Sequence, residues 1–229
     1  NRCQKDAEVI IILGPQSRRR MGWCNACATS QDSVRKPSNH LHVRSENMKS
    51  KKCKVLVVGA GPGGYVAAIR SAQLGMDTII VEGERAGGTC LIRGCIPSKA
   101  LIHAAHKFHD LAKHAKDGGH MGISIPGPAE LKMADLKGWK DDIVDRLNKG
   151  VEHLLKSSGA ELITGWAEFK DAKTVVVGDT QIEAENVILA NGSVPIELPF
   201  LKYGDGVISS REALNIDEKL DHLVVCLLY

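Results

Sequence analysis

The sequence predicts an α/β fold in which a parallel sheet is wound through a strand–helix–strand unit and extended by a small β-meander. Three observations predict it. Val55-Leu56-Val57-Val58 is a continuous apolar run, as expected of a strand buried on both faces. A glycine turn, Gly59-Ala60-Gly61-Pro62-Gly63-Gly64, follows directly and opens a helix-spaced segment leading to a second apolar run, Thr78 to Val81. Between Glu161 and Leu189 the pattern breaks into short apolar runs separated by turn residues.

Taken in order, residues 1–47 show no sustained period and are rich in Arg, Ser, Asn and Gln. They are expected to be a disordered or non-native leader, with Met48 close to the natural start. Arg18-Arg19-Arg20 reads as a solvated charge run. Cys24-Asn25-Ala26-Cys27 is a lone CxxC that His40 and His42 could complete to the four ligands of a zinc site, but no ordered core is expected around it and no metal site is expected. A strand spans Lys54 to Val58. Tyr65 to Leu74 has helical spacing, with Ala67, Ala68 and Ala72 permitting close packing, and Gly75 ends it. Thr78 to Val81 is the second strand, and the unit is right-handed by the usual sterics. Helices are predicted from about Leu91 to Ala115, with Pro97 inside, and over Lys132 to Ser157. Short strands follow at Glu161–Ile163, Ala167–Phe169, Thr174–Val177, Gln181–Glu183 and Val187–Leu189, with a hairpin at Gly178-Asp179. Leu223 to Leu228 reads as the opening of one more buried strand.

Composition narrows the function classes. The chain of 229 residues is 43% hydrophobic and 25% charged, the mix of a globular protein. Aromatics make up only 4%, so Val, Ile, Leu and Ala must build the core. No apolar run approaches the roughly 20 residues of a membrane-spanning helix. The net charge of +3 divides unevenly: residues 1–53 hold 11 Lys/Arg against 4 Asp/Glu, and residues 54–229 hold 19 against 23. The body therefore lacks the basic excess of a nucleic-acid binder. Seven irregularly spaced cysteines do not make a disulfide framework and point to a reducing compartment.

Gly59, Gly61 and Gly64 form a GxGxxG turn between strand and helix. The first glycine permits the tight turn, the second admits a pyrophosphate to the backbone, and the third lets helix and strand pack closely. Pro62 and Gly63 complete the loop, and free N–H groups at the helix start would hold the diphosphate. Glu82 ends the second strand, 18 residues after Gly64, where a carboxylate can accept from ribose hydroxyls. This is the fingerprint of a Rossmann-like dinucleotide fold, and by itself it does not separate FAD from NAD.

Cys90 and Cys95 lie just beyond, in Gly87-Gly88-Thr89-Cys90-Leu91-Ile92-Arg93-Gly94-Cys95-Ile96-Pro97-Ser98-Lys99. Five residues apart on a regular helix, their Cα atoms would be roughly 8–9 Å apart, beyond a disulfide's reach. A bridge needs a distorted turn, for which Gly94 offers the freedom. Lys99, one turn after Cys95, would favour a thiolate. Two buried small hydrophobes remain the bland alternative, and a metal site lacks further ligands at suitable spacing.

The stretch Gly87 to Lys99 closely resembles the GGTCLNxGCxPSK pattern of the pyridine nucleotide–disulfide oxidoreductase family. Ala100-Leu101-Ile102-His103 is similar to its lipoamide-acting branch rather than to glutathione reductases. Gly165-Trp166-Ala167-Glu168-Phe169 and Ala190-Asn191-Gly192-Ser193-Val194-Pro195 resemble two further segments that touch the flavin nucleotide. The likeness runs in order over about residues 52–225. It implies a Rossmann-like FAD-binding domain over 48–222, and in 223–229 the start of an NAD-binding domain before which the chain is cut. It implies FAD held by Gly59, Gly61, Pro62, Gly63, Gly64, Glu82, Gly88, Thr89, Cys90, Lys99, Ala167, Ala190, Asn191 and Gly192. It implies that Cys90 is the interchange thiol, that Cys95 is the flavin-side thiol in charge-transfer contact, and that Lys99 lies near the flavin's reactive nitrogen. Electrons would pass from dihydrolipoamide through a Cys90–Cys95 disulfide and FAD to NAD⁺. The implied partners are the acyltransferase of a 2-oxo acid dehydrogenase complex and a second copy of the chain, in the cytoplasm or the mitochondrial matrix.

The departures are Ile92 in place of Asn, Arg93 in place of a small apolar residue, and Asn191 in place of Thr. The family's second glycine turn and its partner-supplied His-Glu pair have no counterpart in these residues, and His103, His106 and His109 read as a solvated helix face. The expectation is an oxidoreductase by kinship whose 229 residues alone hold FAD weakly and show no NAD-linked turnover. The alternatives are a purely FAD-binding piece and a metal-binding leader fused to a nucleotide domain.

Overall fold

A computed structural model describes the backbone of residues 8–13 and residues 48–116, 123, 126–204 and 206–227. Its centre is a six-stranded sheet. Strand β2 (Lys49–Val58) leads into helix α1 (Pro62–Gln73) and strand β3 (Thr78–Glu82), which pairs with β2 in parallel. Helices α2 (Gly88–Arg93), α3 (Cys95–Lys116) and α4 (Met133–Ser158) follow. Strand β4 (Glu161–Thr164) pairs parallel to β3, and β5 (Ala167–Phe169), β6 (Thr174–Val177) and β7 (Thr180–Leu189) form an antiparallel meander. Strand β7 then runs parallel to β2, so the sheet order is β4-β3-β2-β7-β6-β5.

The alternation of β2 explains the two layers around this sheet. Val55 and Val57 face helices α1 and α4, packing with Ala68, Val144, Val151 and Leu155. Leu56 and Val58 face the other way, among Val175, Val177, Ile182 and Ala184 of the meander. All four are buried, which is why the run carries no polar residue. Burying an aliphatic side chain such as Leu56 or Leu155 contributes about 1.5–3 kcal/mol each. Helix α4 also brings polar groups inward. Lys140, 2% exposed, reaches Asp141 at 2.6 Å and donates to Asn215 Oδ1 at 2.9 Å.

Several elements differ from expectation. The predicted helix Leu91–Ala115 is two helices, α2 and α3, separated at Gly94 (φ −150°, ψ −109°). A Cβ there would come 2.8 Å from the Thr89 carbonyl oxygen, so the break requires glycine. The two short strands expected at 181–183 and 187–189 are one strand, β7. Glu183 and Glu185 do not interrupt it: they are the outward positions of an alternation whose inward positions are Ile182 and Ala184. Strand β2 starts at Lys49 rather than Lys54. Its lysines meet acids on other strands of the same sheet, Lys51 with Glu161 of β4 at 2.6 Å and Lys52 with Glu183 of β7 at 3.0 Å.

A second, three-stranded sheet has the order β8-β1-β9, built from β1 (Glu8–Leu13), β8 (Val207–Ser209) and β9 (His222–Leu227), all parallel. Strand β1 falls within the expected leader, where the apolar run Val9–Leu13 pairs in full register with β9. The remainder of that leader, with Arg18–Arg20, Cys24, Cys27, His40 and His42, lies outside the described residues. Strand β9 forms as expected but is not buried: Leu223, Val224 and Val225 are about half exposed, because β1 is its one strand partner among the described residues. A capping box at Ser209 and Glu212 starts the short helix α5 (Ser210–Ala213).

Candidate functional site

The carboxyl ends of β4, β3, β2 and β7 come level through three backbone hydrogen bonds. Gly59 N–H donates to Val81, Ala190 N–H to Val58 and Gly165 N–H to Glu82, each at 2.8 Å. These bonds draw together four segments far apart in sequence: the glycine turn, Glu82, residues 165–167 and residues 190–192.

The glycines of the turn serve different needs. Gly59 (φ 98°) lies under the end of β7, where a Cβ would overlap the Ala190 carbonyl and fall 3.0 Å from Asn191 Cα. At Gly64 a Cβ would overlap the Gly59 carbonyl, so α1 can approach β2 only through glycine. Gly61 is different: a Cβ there meets only Gly88 Cα, at the ordinary distance of 3.9 Å, and one on Gly63 meets nothing within 4 Å. The chain's own atoms do not require glycine at 61, which fits a backbone left bare for a ligand. Helix α1 begins with Pro62, has no acidic residue in its first turn and no side-chain cap, so the positive end of its dipole is open to an anion.

Glu82 points its carboxylate back toward the turn. Its Oε2 accepts from Ala60 N–H at 2.7 Å and its Oε1 from Glu84 N–H at 3.0 Å. Each oxygen keeps an acceptor position for a ribose hydroxyl. The residues present therefore fit a dinucleotide: donors without side-chain caps for phosphate, bare backbone beside them, and an oriented acid one ribose away.

The cysteine segment is locked onto this turn. Gly87 N–H donates to the Ala60 carbonyl at 2.7 Å, and Gly88 (φ 57°) sits so close to Gly61 that a Cβ on it would fall 2.5 Å from Gly61 Cα. Helix α4 holds the same loop from behind. Asn148, 4% exposed, donates to the Ala86 carbonyl at 2.6 Å and accepts from Arg85 at 2.9 Å, while Arg85 also meets Asp145 at 2.7 Å. Cys90 then stands in α2, and Cys95 opens α3 after the break at Gly94. Both are free thiols, in hydrogen-bond contact with each other. That hydrogen bond is the main reason the Cys90 thiol is held above its ordinary pKa. Burial and the Cys95 charge add to the effect, and the Lys99 cation works against it.

Beside Cys90 opens an apolar cleft of about 300 Å³. Pro62 and Tyr65 of α1 and Leu147, Val151 and Leu154 of α4 line it. Sequence reading missed this cleft, because its walls come from two helices joined only in the fold. It also missed the Asn148 anchor and the role of Arg93. That arginine pairs with Glu84 at 2.7 Å, and Arg211 of α5 reaches the same carboxylate at 3.7 Å. Ile92, the other departure, packs against the core. Arg93 as an unusual residue was the one visible signal.

The expected residues thus fall into two joined groups. Gly59, Gly61, Gly64, Glu82, Ala190 and Asn191 gather around the turn, and Cys90, Cys95 and Lys99 form a cluster tied to it through Gly88. Ala167 opens β5 next to Gly165, and Thr89 contacts Gly94 within the cysteine segment. Gly63 and Gly192 have open space around them. Among the described residues no group of three or more His, Cys, Asp or Glu could hold a metal ion, and no helix is long and apolar enough to cross a membrane.

Residues 53–226 match the family pattern of the pyridine nucleotide-disulphide oxidoreductases. The dihydrolipoyl dehydrogenase of Pseudomonas aeruginosa is 51% identical over 179 residues, which cover 76% of this chain and 38% of that protein. The dihydrolipoyl dehydrogenase of Geobacillus stearothermophilus is 48% identical over 176 residues, 75% of this chain and 36% of that one. The chain thus spans little more than a third of the length of these relatives. Among solved structures, the HOCl-induced flavoprotein disulfide reductase RclA of Escherichia coli superposes with a TM-score of 0.58. It is 24% identical, and the match covers 72% of this chain and 34% of that one, so it speaks for the fold alone. With the family pattern running unbroken from β2 into β9 and the relatives at about half identity, the chain belongs to the pyridine nucleotide-disulphide oxidoreductases.

Proposed function

We propose that these residues are the FAD-binding and disulfide-carrying part of a dihydrolipoyl dehydrogenase. The observation that carries the reading is the locking of the Cys90–Cys95 segment onto the dinucleotide turn, through the Gly87 N–H bond to the Ala60 carbonyl and the close approach of Gly88 to Gly61. Bound FAD supplies the two-electron relay between the cysteine pair and NAD⁺. The chain's own groups divide the remaining work. The N–H groups at the start of α1 hold the diphosphate, Glu82 holds the adenosine ribose, and the Ala190–Gly192 segment closes over the cofactor.

In the oxidised pair, a thiolate of dihydrolipoamide attacks Cys90 Sγ, and the Cys90–Cys95 bond breaks with Cys95 leaving as thiolate. The second substrate thiol then displaces Cys90, which releases lipoamide as a disulfide and leaves both cysteines reduced. Two electrons have entered the pair. One of the two substrate protons stays on Cys90, where the hydrogen bond to Cys95 favours it, and the other is released. Lys99 stabilises the thiolate through its charge. The apolar cleft lined by Tyr65, Leu147, Val151 and Leu154 suits the hydrocarbon chain of the dithiol.

By extension from the relatives, the dithiol is carried on the acyltransferase of a 2-oxo acid dehydrogenase complex, a second copy of the chain completes the site, and the compartment is the cytoplasm. The 229 residues contain one GxGxxG turn, so the chain alone is proposed to pass electrons from the dithiol through its cysteines to bound FAD without NAD-linked turnover. The test is to load the chain with FAD and add dihydrolipoamide. Bleaching of the flavin absorbance, lost in Cys90→Ser and in Cys95→Ser, is expected. An unchanged spectrum in the loaded parent chain overturns the proposal.

A further inference from the structure

We propose that Arg93 is a positioning residue for the cysteine pair: through its ion pair with Glu84 it holds the end of α2 so that Cys90 meets Cys95, and it thereby favours the disulfide over the dithiol. The inference rests on the disulfide reading above.

Arg93 lies between the two cysteines, in the last turn of α2 and directly before the break at Gly94. Its guanidinium meets Glu84 Oε2 at 2.7 Å, while Arg211 reaches Oε1 of the same carboxylate at 3.7 Å. The arginine side chain is 25% exposed and the glutamate 35%, so the pair is largely shielded from water. Glu84 is fixed in turn, because its N–H donates to Glu82 Oε1 at 3.0 Å. Apart from the thiol contact itself, this ion pair is the one polar side-chain link from α2 to another element among the described residues.

The two sulfurs sit on separate helices with only Gly94 between, so their separation depends on how α2 is held against α3. The start of α3 is fixed: Pro97 is fully buried, and Ser98 N–H donates to the Gly94 carbonyl at 2.9 Å. The start of α2 is fixed by Gly87 and Gly88 on the turn, and its middle by the buried Leu91. Its far end, which bears directly on Gly94, is held by Arg93. The break itself cannot supply that restraint, since glycine has the most backbone freedom of any residue. The charge of Arg93 is neutralised by Glu84, so its effect on the thiols is one of placement. An ion pair that limits the motion of α2 raises the effective concentration of one sulfur at the other. The disulfide requires that proximity and the dithiol does not, so the tether stabilises the oxidised pair more.

The experiment equilibrates the full chain with glutathione buffers of varied ratio, in the absence of oxygen, and reads the state of Cys90 and Cys95 by differential alkylation and mass spectrometry. One cysteine thiolate attacks glutathione disulfide and releases a glutathione thiolate, and the second cysteine thiolate then displaces the other glutathione. The pair loses two electrons and gains its S–S bond, and the two glutathiones take up the electrons and protons. Arg93→Met, which keeps an unbranched stem without charge, is expected to shift this equilibrium about threefold toward the dithiol, the worth of a partly exposed ion pair. Glu84→Gln is expected to do the same, the double variant to do no more than either alone, and Arg93→Lys to stay near the parent. A contact that only supports the fold would lower the stability of the oxidised and reduced chains alike and leave the equilibrium unmoved. Equilibria of Arg93→Met and Glu84→Gln that match the parent's, a shift toward the disulfide, or additive effects in the double variant overturn the inference and leave the disulfide reading standing. A parent chain in which no Cys90–Cys95 disulfide forms overturns both.

Discussion

Gly64→Ala tests whether the glycine turn is a packing device or only a ligand cradle. The added Cβ would overlap the Gly59 carbonyl oxygen and lie 2.9 Å from its carbon and 3.3 Å from Ala190 Cβ. The first two obstacles are backbone, so relief requires α1 to lift off β2 and lose contact with Val55, Val57 and Ile80. Overpacking of this kind typically costs about 1–3 kcal/mol, and a backbone-on-backbone clash belongs at the upper end. For a domain of this size about 3 kcal/mol corresponds to a fall in Tm of roughly 6–12 °C. Gly61→Ala is the counterpart, since its Cβ meets only Gly88 Cα at 3.9 Å. It is expected to cost the apo chain at most about 1 kcal/mol, from a poorer N-cap, while weakening FAD binding at least about tenfold as the methyl enters the phosphate's place. Gly63→Ala, with open space around it, is the control for both. Urea denaturation of the apo chains, followed by far-ultraviolet circular dichroism, measures the first effect, and FAD titration the second. If Gly64→Ala unfolds at the parent's midpoint, or Gly61→Ala is the less stable of the two, the division of labour among these glycines is wrong.

Three further outcomes follow from the same contacts. Asn148→Ala strips the buried Ala86 carbonyl of its donor and Arg85 of one acceptor, so a loss of about 1–3 kcal/mol is expected in urea denaturation, together with weaker FAD binding. In the reduced chain, Cys95→Ala removes the hydrogen bond that holds the proton on Cys90; iodoacetamide labelling of Cys90 at pH 8, read by mass spectrometry, is expected to speed up, and an unchanged rate contradicts the assignment. Burial, with the negative charge of Asp77, pushes the Cys53 thiol up to about 11. The unfolded chain then loses that proton first, so stability is constant below about pH 9 and falls by roughly 2–3 kcal/mol as pH rises from 9 to 11. The part of this slope due to Cys53 is expected to vanish in Cys53→Ala.

Much of this molecule was legible in its sequence because the relevant physics is local. Four consecutive apolar residues at Val55–Val58 can be satisfied only by a strand covered on both faces. The glycine turn, its helix and Glu82 lie within 24 residues, so backbone sterics alone set their relation. The Cys90–Cys95 contact was foreseeable as far as the need for a break at Gly94. The polar residues of β7 misled because alternation in a one-sided strand looks like interruption when its neighbours are unknown, and β9 misled because an apolar run states a capacity for burial without supplying the cover. Tertiary structure alone decided the rest. Whether Gly61 or Gly64 is constrained by the protein depends on Gly59, Gly88 and Ala190, which reach the turn only once β2, β3 and β7 are paired. The Asn148 anchor, the Glu84–Arg93–Arg211 cluster and the cleft beside Cys90 all join residues from separate elements. Such contacts are products of chain crossing and packing, and no periodicity or spacing along one segment encodes them.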